Sequence, residues 1–120
     1  MLMIQVPFPP SINHAWKHRV VGRRAMVYMS AEALNFRADV KRRIGTMIPT
    51  DKRLSVTITL YAPNKRKYDI DNRVKAVLDA FTHAGVWVDD EQVDMLMVIR
   101  GEPVNDKSGG YAFIHVEIIK

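Results

Sequence analysis

The sequence predicts an α+β domain of two layers, in which a mixed sheet of about five strands packs against two helices. Two kinds of apolar spacing lead to this prediction. Residues 54–61 alternate apolar and polar side chains, which is the period of a half-buried strand. Residues 31–47 and 74–84 repeat apolar side chains every three or four positions, which is the period of an amphipathic helix. Elements with one apolar face each must cover one another, so a two-layer domain follows.

The first half of the chain is predicted to contain a strand, a basic loop, a second strand and a helix. Met3–Pro7 is a short apolar run that ends near a proline pair, which predicts an opening strand. Residues 17–24 are polar, contain a glycine and have no clear period, so we expect a mobile basic loop before a short strand at 25–29. Ser30 is the expected N-cap of the first helix, which should end at Pro49 and carry one apolar stripe, formed by Ala33, Phe36, Val40, Ile44 and Met47.

The second half is predicted to contain a central strand, a second helix and two further strands. The strand carries the alternating apolar residues Leu54, Val56, Ile58 and Leu60. After a basic turn, the helix is marked by apolar residues from Val74 to Phe81 and should end near Gly85. Residues 93–100 and 111–119 are predicted strands joined by a polar, glycine-containing loop, which favours a β-hairpin.

Length and composition limit the kinds of protein to consider. A chain of 120 residues is the size of one domain, so we expect a single domain over residues 1–120. The absence of cysteine excludes disulfides, thiolate metal sites and a cysteine nucleophile. The N-terminus lacks the features of a signal peptide, and no stretch approaches a membrane span, so we expect a cytoplasmic protein without membrane contact.

Charge is divided unevenly along the chain. Residues 1–68 carry 13 Lys and Arg against 3 Asp and Glu, whereas residues 69–120 carry 5 against 10. A basic half followed by an acidic half indicates a polyanion-binding surface next to a cluster of carboxylates, although both halves are also compatible with ordinary solvated faces. The candidate phosphate-binding residues lie in two basic runs, one comprising Lys17, Arg19, Arg23 and Arg24 and the other Lys65, Arg66 and Lys67.

Asp69 and Asp71 stand two residues apart at a predicted loop-to-helix junction. If the backbone there is extended, both side chains leave on the same side. Two facing carboxylates repel each other unless a cation lies between them, and Mg²⁺ is suited to that position because it prefers oxygen ligands and water. The structural alternative is that these aspartates only cap a helix or lie in a loop, and the pair by itself leaves both interpretations open.

Neighbouring residues favour the metal interpretation. Lys75 follows Asp71 by four residues, so it lies on the same face of a helix, although a simple surface ion pair would explain it as well. Asp89 and Asp90 follow the apolar run Val86–Val88, in which Trp87 is expected to anchor the segment in the core. This acidic pair offers a third ligand from a separate element, or is simply a charged turn.

Carboxylates, a lysine and a basic run in this order suit phosphodiester hydrolysis. Metal ions held by Asp69, Asp71 and either Asp89 or Asp90 would polarise a phosphate and lower the pKa of a bound water. A lysine would neutralise the charge that grows on the phosphoryl oxygens. The sequence therefore predicts a metal-dependent enzyme that acts on a phosphodiester.

Three segments resemble the RusA family of Holliday-junction resolvases in order and spacing. They are Lys65–Asn72 (KRKYDIDN), Lys75–Phe81 (KAVLDAF) and Gly85–Val93 (GVWVDDEQV). The opening Val6–Asn13 (VPFPPSIN) and the Ser-Ala-Glu at Ser30 are similar to the family as well, so the likeness covers essentially the whole chain. Two residues depart from the family pattern, because Ile12 stands where asparagine is often found and Tyr68 interrupts a basic run that commonly reaches the first aspartate.

The resemblance implies an endonuclease that resolves four-way DNA junctions by paired symmetric nicks, in recombination and repair. It implies catalytic roles for Asp69, Asp71, Asp90 and Lys75, with the three aspartates as metal ligands and Asp89 as the less favoured member of its pair. The implied cofactor is Mg²⁺, with Mn²⁺ as a substitute. A junction has two equivalent strands to cut and this chain has one carboxylate cluster, so we also expect a homodimer.

Two other functions remain open at this point. One is a different magnesium-dependent nuclease or phosphatase, although a haloacid-dehalogenase-like Asp-x-Asp would follow a buried apolar strand rather than the run KRKY. The other is a non-catalytic module that binds branched DNA and whose acidic residues only cap helices. Loss of cleavage with retained binding after Asp71→Asn would separate these possibilities.

Overall fold

The computed structural model describes residues 1–11, 16–21 and 24–119, and for residues 16–21 and 24–28 it describes the backbone alone. The predictions for Ile12 and Arg23 lie outside these residues. The side chains of Lys17, Arg19 and Arg24 lie outside them as well, so their predicted role in DNA binding stays a prediction.

The described part of the chain contains six strands and two helices. They are β1 (Leu2–Pro7), β2 (Trp16–Val21), β3 (Arg24–Met29), α1 (Ala31–Ile44), β4 (Leu54–Tyr61), α2 (Val74–Ala84), β5 (Val93–Arg100) and β6 (Tyr111–Ile118). Short 3-10 turns at Ile70–Arg73 and Asp90–Gln92 precede α2 and β5. Within the described ranges, no helix has the length and apolar character needed to cross a membrane.

Strand β4 lies inside a mixed four-stranded sheet with the order β1-β6-β4-β5. It pairs antiparallel with β6 and parallel with β5, and the two helices cover one face of the sheet. The core-facing side chains of β4 are completely buried, as their alternation predicts: Leu54, Val56, Ile58 and Leu60. The predicted α+β fold with two helices is therefore confirmed, and the strands divide into four in this sheet and two, β2 and β3, in a separate ribbon.

Helix α1 begins as its sequence predicts but ends earlier. The side chain of Ser30 accepts a hydrogen bond from the amide of Ala33 at 3.2 Å, so Ser30 is the N-cap. The helix ends at Ile44 because Gly45 adopts a positive φ of 74° and its amide donates to the carbonyl of Lys41 at 2.9 Å. The prediction that the helix continues through Met47 to Pro49 was wrong, because the apolar repeat outlasts the helical backbone.

Helix α2 has one buried face and one face that carries charged residues. The buried face consists of Val77, Ala80, Phe81 and Ala84. The helix ends at Gly85, which adopts the left-handed conformation with φ 85°, as predicted. Because β4 and β5 are parallel, the connection through α2 runs from the end of β4 back along the sheet to the start of β5.

The predicted hairpin between the last two strands is wrong. Strand β4 lies between β5 and β6 and pairs with both, so these two strands are not neighbours. The loop that joins them crosses the end of β4, where Gly101 donates to the carbonyl of Leu60 at 2.8 Å and Val104 to that of Ala62 at 2.9 Å. Strand β4, whose core-facing side chains are completely buried, lies inside the sheet, and the polar loop between β5 and β6 passes over its end.

The predicted basic loop at residues 17–24 is also wrong for most of its length. Strand β2 pairs antiparallel with β3 through six residue pairs, from Trp16 opposite Met29 to Val21 opposite Arg24. The order in this ribbon comes from cross-strand hydrogen bonds, which a search for sequence periodicity does not detect. The predicted strand at 25–29 is confirmed, with Arg24 as its first residue.

Candidate active site

One pocket of about 470 Å³ brings together charged residues from two separate segments of the chain. Its charged lining residues are Asp71, Lys75 and Asp90. Its apolar lining residues come from α2, from β5 and from the turn before α2, and they are Ile70, Val74, Leu78, Leu96 and Val98. The structure therefore places an acidic residue from each end of α2, with a lysine, in a shared cleft with apolar walls.

The 3-10 turn Ile70–Arg73 determines where the first two aspartates lie. Asp69 precedes the turn with an extended backbone and forms no side-chain capping bond, whereas Asp71 lies inside the turn. Both are exposed, but only Asp71 is among the described residues that line the pocket. The extended backbone considered for this pair holds for Asp69 and not for Asp71, because the chain has already begun to coil.

Tyr68 fixes the segment that leads into Asp69. Its ring packs edge to face against Phe8, with 5.5 Å between the centroids, and the guanidinium of Arg100 lies 4.3 Å above it. Arg100 also donates to the Tyr68 carbonyl at 3.0 Å, and Arg73 donates to the carbonyl of Pro9 at 2.8 Å. The Tyr68 ring therefore contacts Phe8 and the guanidinium groups of Arg100 and Arg73, and these contacts anchor the segment. This packing role explains why an aromatic residue can interrupt the basic run.

Lys75 is the second residue of α2 and forms an ion pair within the helix. Its Nζ lies 3.5 Å from Oδ2 of Asp79, four residues later. The Lys75 side chain is 51% exposed and lines the pocket, whereas that of Asp79 is 24% exposed and is not among the described residues that line it. The surface ion pair considered for Lys75 thus exists, and Lys75 also borders the candidate site.

Asp79 is a further acidic residue near this site, because it forms the ion pair with Lys75. Burial raises the pKa of Asp79, the positive charge of Lys75 opposes this rise, and the neighbouring Asp90 adds to it. Two carboxyl groups and an ammonium therefore share one partly buried region.

Asp90 is held in place by the end of α2 and by the buried indole of Trp87. The hydroxyl of Thr82 donates to Oδ1 of Asp90, and Nε1 of Trp87 donates to the same oxygen at 3.2 Å. The indole also donates to the Thr82 hydroxyl at 2.6 Å. Trp87 is only 1% exposed, which confirms that it anchors this segment in the core. The Asp90 carboxylate is thus fixed by rigid neighbours.

Asp89 has a structural role that distinguishes it from Asp90. Its side chain accepts a hydrogen bond from the amide of Glu91 at 3.3 Å and belongs to a capping box with Gln92. Asp89 is not among the described residues that line the pocket. Of the acidic pair, Asp90 therefore faces the site, while Asp89 caps the turn that presents it.

Gln92 fastens the Asp90 turn to the rest of the fold. Its side-chain amide donates to the carbonyls of Thr50 and Lys52 at 2.8 and 2.9 Å, and its carbonyl oxygen accepts from the amides of Val88 and Asp89 at 2.8 and 2.9 Å. The residue is 6% exposed, and all the polar atoms of its side chain have hydrogen-bond partners. The turn is consequently connected to the segment that leads into β4.

Arg53 provides a second connection on the outside of the same turn. Its guanidinium binds the Glu91 carboxylate at 3.0 Å and also pairs with Asp94 at the start of β5. The hydrogen bonds from Arg53 lower the pKa of Asp94. Because all three side chains are exposed, the connection orients the turn more than it stabilises the protein.

The basic run Lys65–Lys67 lies exposed just before Asp69. The amide of Arg66 donates to Oδ1 of Asn64 at 2.9 Å, so an Asx turn shapes the backbone here. These cations are available to an anionic ligand that approaches the carboxylates.

The structure thus brings together three of the predicted site residues, Asp71, Lys75 and Asp90. Among the described residues, no group of three or more His, Asp or Glu side chains stands close enough to hold a metal ion by itself. The oxygen donors of Asp71 and Asp90 nevertheless suit Mg²⁺, which commonly uses one or two carboxylates together with water and substrate phosphate.

The sequence analysis did not identify Asp79, Thr82 and Gln92. Of these residues, only Asp79 had a local signal, which is its four-residue spacing from Lys75.

Comparison with known proteins links this arrangement to one family. The family profile described as Endodeoxyribonuclease RusA matches residues 7–118. The chain is 37% identical over 102 residues to the crossover junction endodeoxyribonuclease rusA of Enterobacteria phage HK97, a match that covers 82% of each chain. It is 36% identical over 104 residues to the protein of that name from Escherichia coli strain K12, covering 81% of this chain and 80% of the relative. The resemblance first seen in short motifs is confirmed.

Gln92→Glu is expected to destabilise the protein at neutral pH by about 3 kcal/mol, because a buried carboxylate would face the carbonyls of Thr50 and Lys52. The introduced carboxyl can donate a hydrogen bond to these carbonyls only when it is protonated, so folding would raise its pKa above the unfolded value of about 4.3. The variant should therefore retain most stability below about pH 4.3 and lose it as the pH rises through the folded-state pKa. Urea unfolding at several pH values measures this.

The matched control is Gln5→Glu, which makes the same change at an exposed position. It should alter the free energy of unfolding by less than about 0.5 kcal/mol. Equal stability of the two variants at neutral pH would show that the hydrogen bonds of Gln92 do not hold the turn.

Proposed function

This chain belongs to the RusA family of endodeoxyribonucleases, and from this premise we propose that it is a structure-selective endonuclease that resolves four-way DNA junctions. It makes paired symmetric nicks by hydrolysing phosphodiester bonds, and it acts in the cytoplasm in recombination and repair. The relatives that support this proposal are named crossover junction endodeoxyribonucleases.

The observation that carries the proposal is the pocket shared by Asp71, Lys75 and Asp90. A structural role explains Asp89, which caps a turn, but it does not explain why two acidic residues from different segments face a lysine in a cleft. Two carboxylates in one pocket repel each other, so the arrangement is favourable when a cation and a phosphate occupy it.

The proposed cofactor is Mg²⁺, for which Mn²⁺ would substitute, with Asp71 and Asp90 as ligands and Asp69 as a third. When bound, the ion supplies Lewis acidity and a water of lowered pKa. Lys75 places its positive charge where negative charge grows on the phosphoryl oxygens. Thr82 and Trp87 keep the Asp90 carboxylate oriented, and the apolar walls limit the access of other water.

The DNA backbone is proposed to bind the exposed run Lys65–Lys67 and the basic residues of the β2–β3 ribbon, namely Lys17, Arg19, Arg23 and Arg24. A phosphate bound at Lys67 would lie close in the chain to Asp69 and Asp71. This position makes the basic run suitable for guiding the strand to be cut into the pocket.

The active unit is proposed to be a homodimer, because a junction presents two equivalent strands and each chain supplies one site. Strand β5 supports association between copies, since the face turned away from the pocket exposes large apolar side chains: Met95 at 61%, Met97 at 59% and Ile99 at 41%. Monomeric proteins rarely leave so continuous an apolar surface in water.

Asp71→Asn is expected to lower the rate of junction cleavage at least about 100-fold, because it replaces an anionic ligand with a neutral group of equal size. Junction binding without Mg²⁺ should persist. Cleavage is followed on denaturing gels and binding by gel retardation.

Asp106→Asn provides the control, since Asp106 is an exposed aspartate in the loop after β5. It should cut at the rate of the unchanged protein. Normal cleavage by Asp71→Asn would remove Asp71 from the mechanism, and a wild-type protein that binds junctions without cutting them would favour a non-catalytic binding module.

Junction affinity is expected to fall steeply as salt rises, with a log–log slope of about −0.9 for each phosphate neutralised. Replacing Lys65, Arg66 and Lys67 together with alanine should reduce the magnitude of that slope by about 2 to 3. Fluorescence anisotropy over a series of salt concentrations measures the slope. Lys107→Ala, in an exposed loop, should leave it unchanged, and a basic run without influence on the slope would not be the contact surface.

A further inference from the structure

Asp79 forms an ion pair with one of the charged residues that line the pocket, although it belongs to no predicted set of site residues. Its Oδ2 lies 3.5 Å from the Nζ of Lys75, and the nearby charge of Asp90 adds to the rise in the pKa of Asp79. Lys75 and Asp79 are separated by one helical turn, so they are neighbours on α2, and Lys75 lines the pocket.

A surface ion pair does not account for this position. The chain contains an ordinary pair of that kind on α1, where Asp39 binds Arg42 and the two side chains are 36% and 70% exposed. Asp79 is less exposed, at 24%, and its partner Lys75 lines the pocket. The nearby charge of Asp90 helps to raise the pKa of Asp79, so it works against a purely structural ion pair.

We infer that Asp79 is a positioning residue of the nuclease site, which holds the ammonium of Lys75 in its working arrangement. The inference rests on the proposed function. Lysine has a long flexible stem, and the Lys75 side chain is 51% exposed, so an ion pair at its end restricts where the charge lies. Thr82 and Trp87 bind Oδ1 of Asp90, so an ammonium held by Asp79 keeps a defined position relative to that carboxylate.

Asp79→Asn tests this role because it removes the charge and keeps the side-chain volume. The single-turnover rate of cleavage of a synthetic four-way junction should fall about 10- to 100-fold, while the Kd for the junction without Mg²⁺ stays within about twofold. Asp79→Glu keeps the charge and should recover part of the rate. If Asp79→Asn does not fold, the cleavage rate of Asp79→Glu is compared with that of the unchanged protein instead, because the longer side chain displaces the carboxylate from its position beside Lys75.

Asp39→Asn is the matched control, because it removes a helical aspartate from an ion pair outside the pocket. It should change the cleavage rate by less than about twofold. The unfolding midpoints of both variants show whether a lower rate merely reflects less folded protein.

A double-mutant cycle tests whether Asp79 acts through Lys75. In a Lys75→Ala background, Asp79→Asn should lower the rate by less than about threefold more, because the group to be positioned is already gone. Fully additive losses would overturn the inference, since Asp79 would then act independently of Lys75.

Calorimetric titration of the DNA-free protein with Mg²⁺ gives a result that needs no cleavage. Asp79→Asn should weaken Mg²⁺ binding about fivefold or more, whereas Asp39→Asn should not. A rate and an Mg²⁺ affinity both unchanged by Asp79→Asn would overturn the inference. A wild-type protein that binds Mg²⁺ but cuts no junction would instead contradict the proposed function, and the titration would still test Asp79.

Discussion

The hydrogen bonds that fix the turn carrying Asp90 are the constraint on which the rest of the site depends. Asp71 and Asp90 line one pocket from different segments of the chain. Two acidic side chains disfavour each other's charged form when they are brought together, so the backbone that carries them must be held by other contacts. Gln92 binds the carbonyls of Thr50 and Lys52, and Trp87 donates to Asp90, so these two residues keep the turn in place.

The local pattern of the sequence was sufficient to predict the helices and the inner strand. The alternation in β4 and the apolar face of α2 each reflect burial along a single element, and both were confirmed. The pairing of β5 and β6 was predicted wrongly, because turn residues indicate that the chain reverses but not which strand lies between its two arms. Strand β2 was predicted as a loop for a similar reason, since the cross-strand bonds that pair it with β3 give no periodic pattern in the sequence.

Site residues that belong to a short motif could be predicted from the sequence. Asp71 and Lys75 lie one helical turn apart, and Asp90 follows a buried tryptophan, so each had a local signal. Asp79 had almost none, because an aspartate on the polar face of a helix looks like any solvated residue. The different roles of Asp89 and Asp90 depend on which carboxylate caps the turn, and this is visible only in three dimensions.

We propose that acidic groups drawn from two segments form a hydrolytic centre for branched DNA. Mapping strand breaks on a synthetic four-way junction, labelled on each strand in turn and incubated with the protein and Mg²⁺, tests this most directly. We expect two nicks at symmetry-related positions in opposite strands, which disappear when EDTA replaces the ion. An intact junction, or breaks that persist in EDTA, would contradict it.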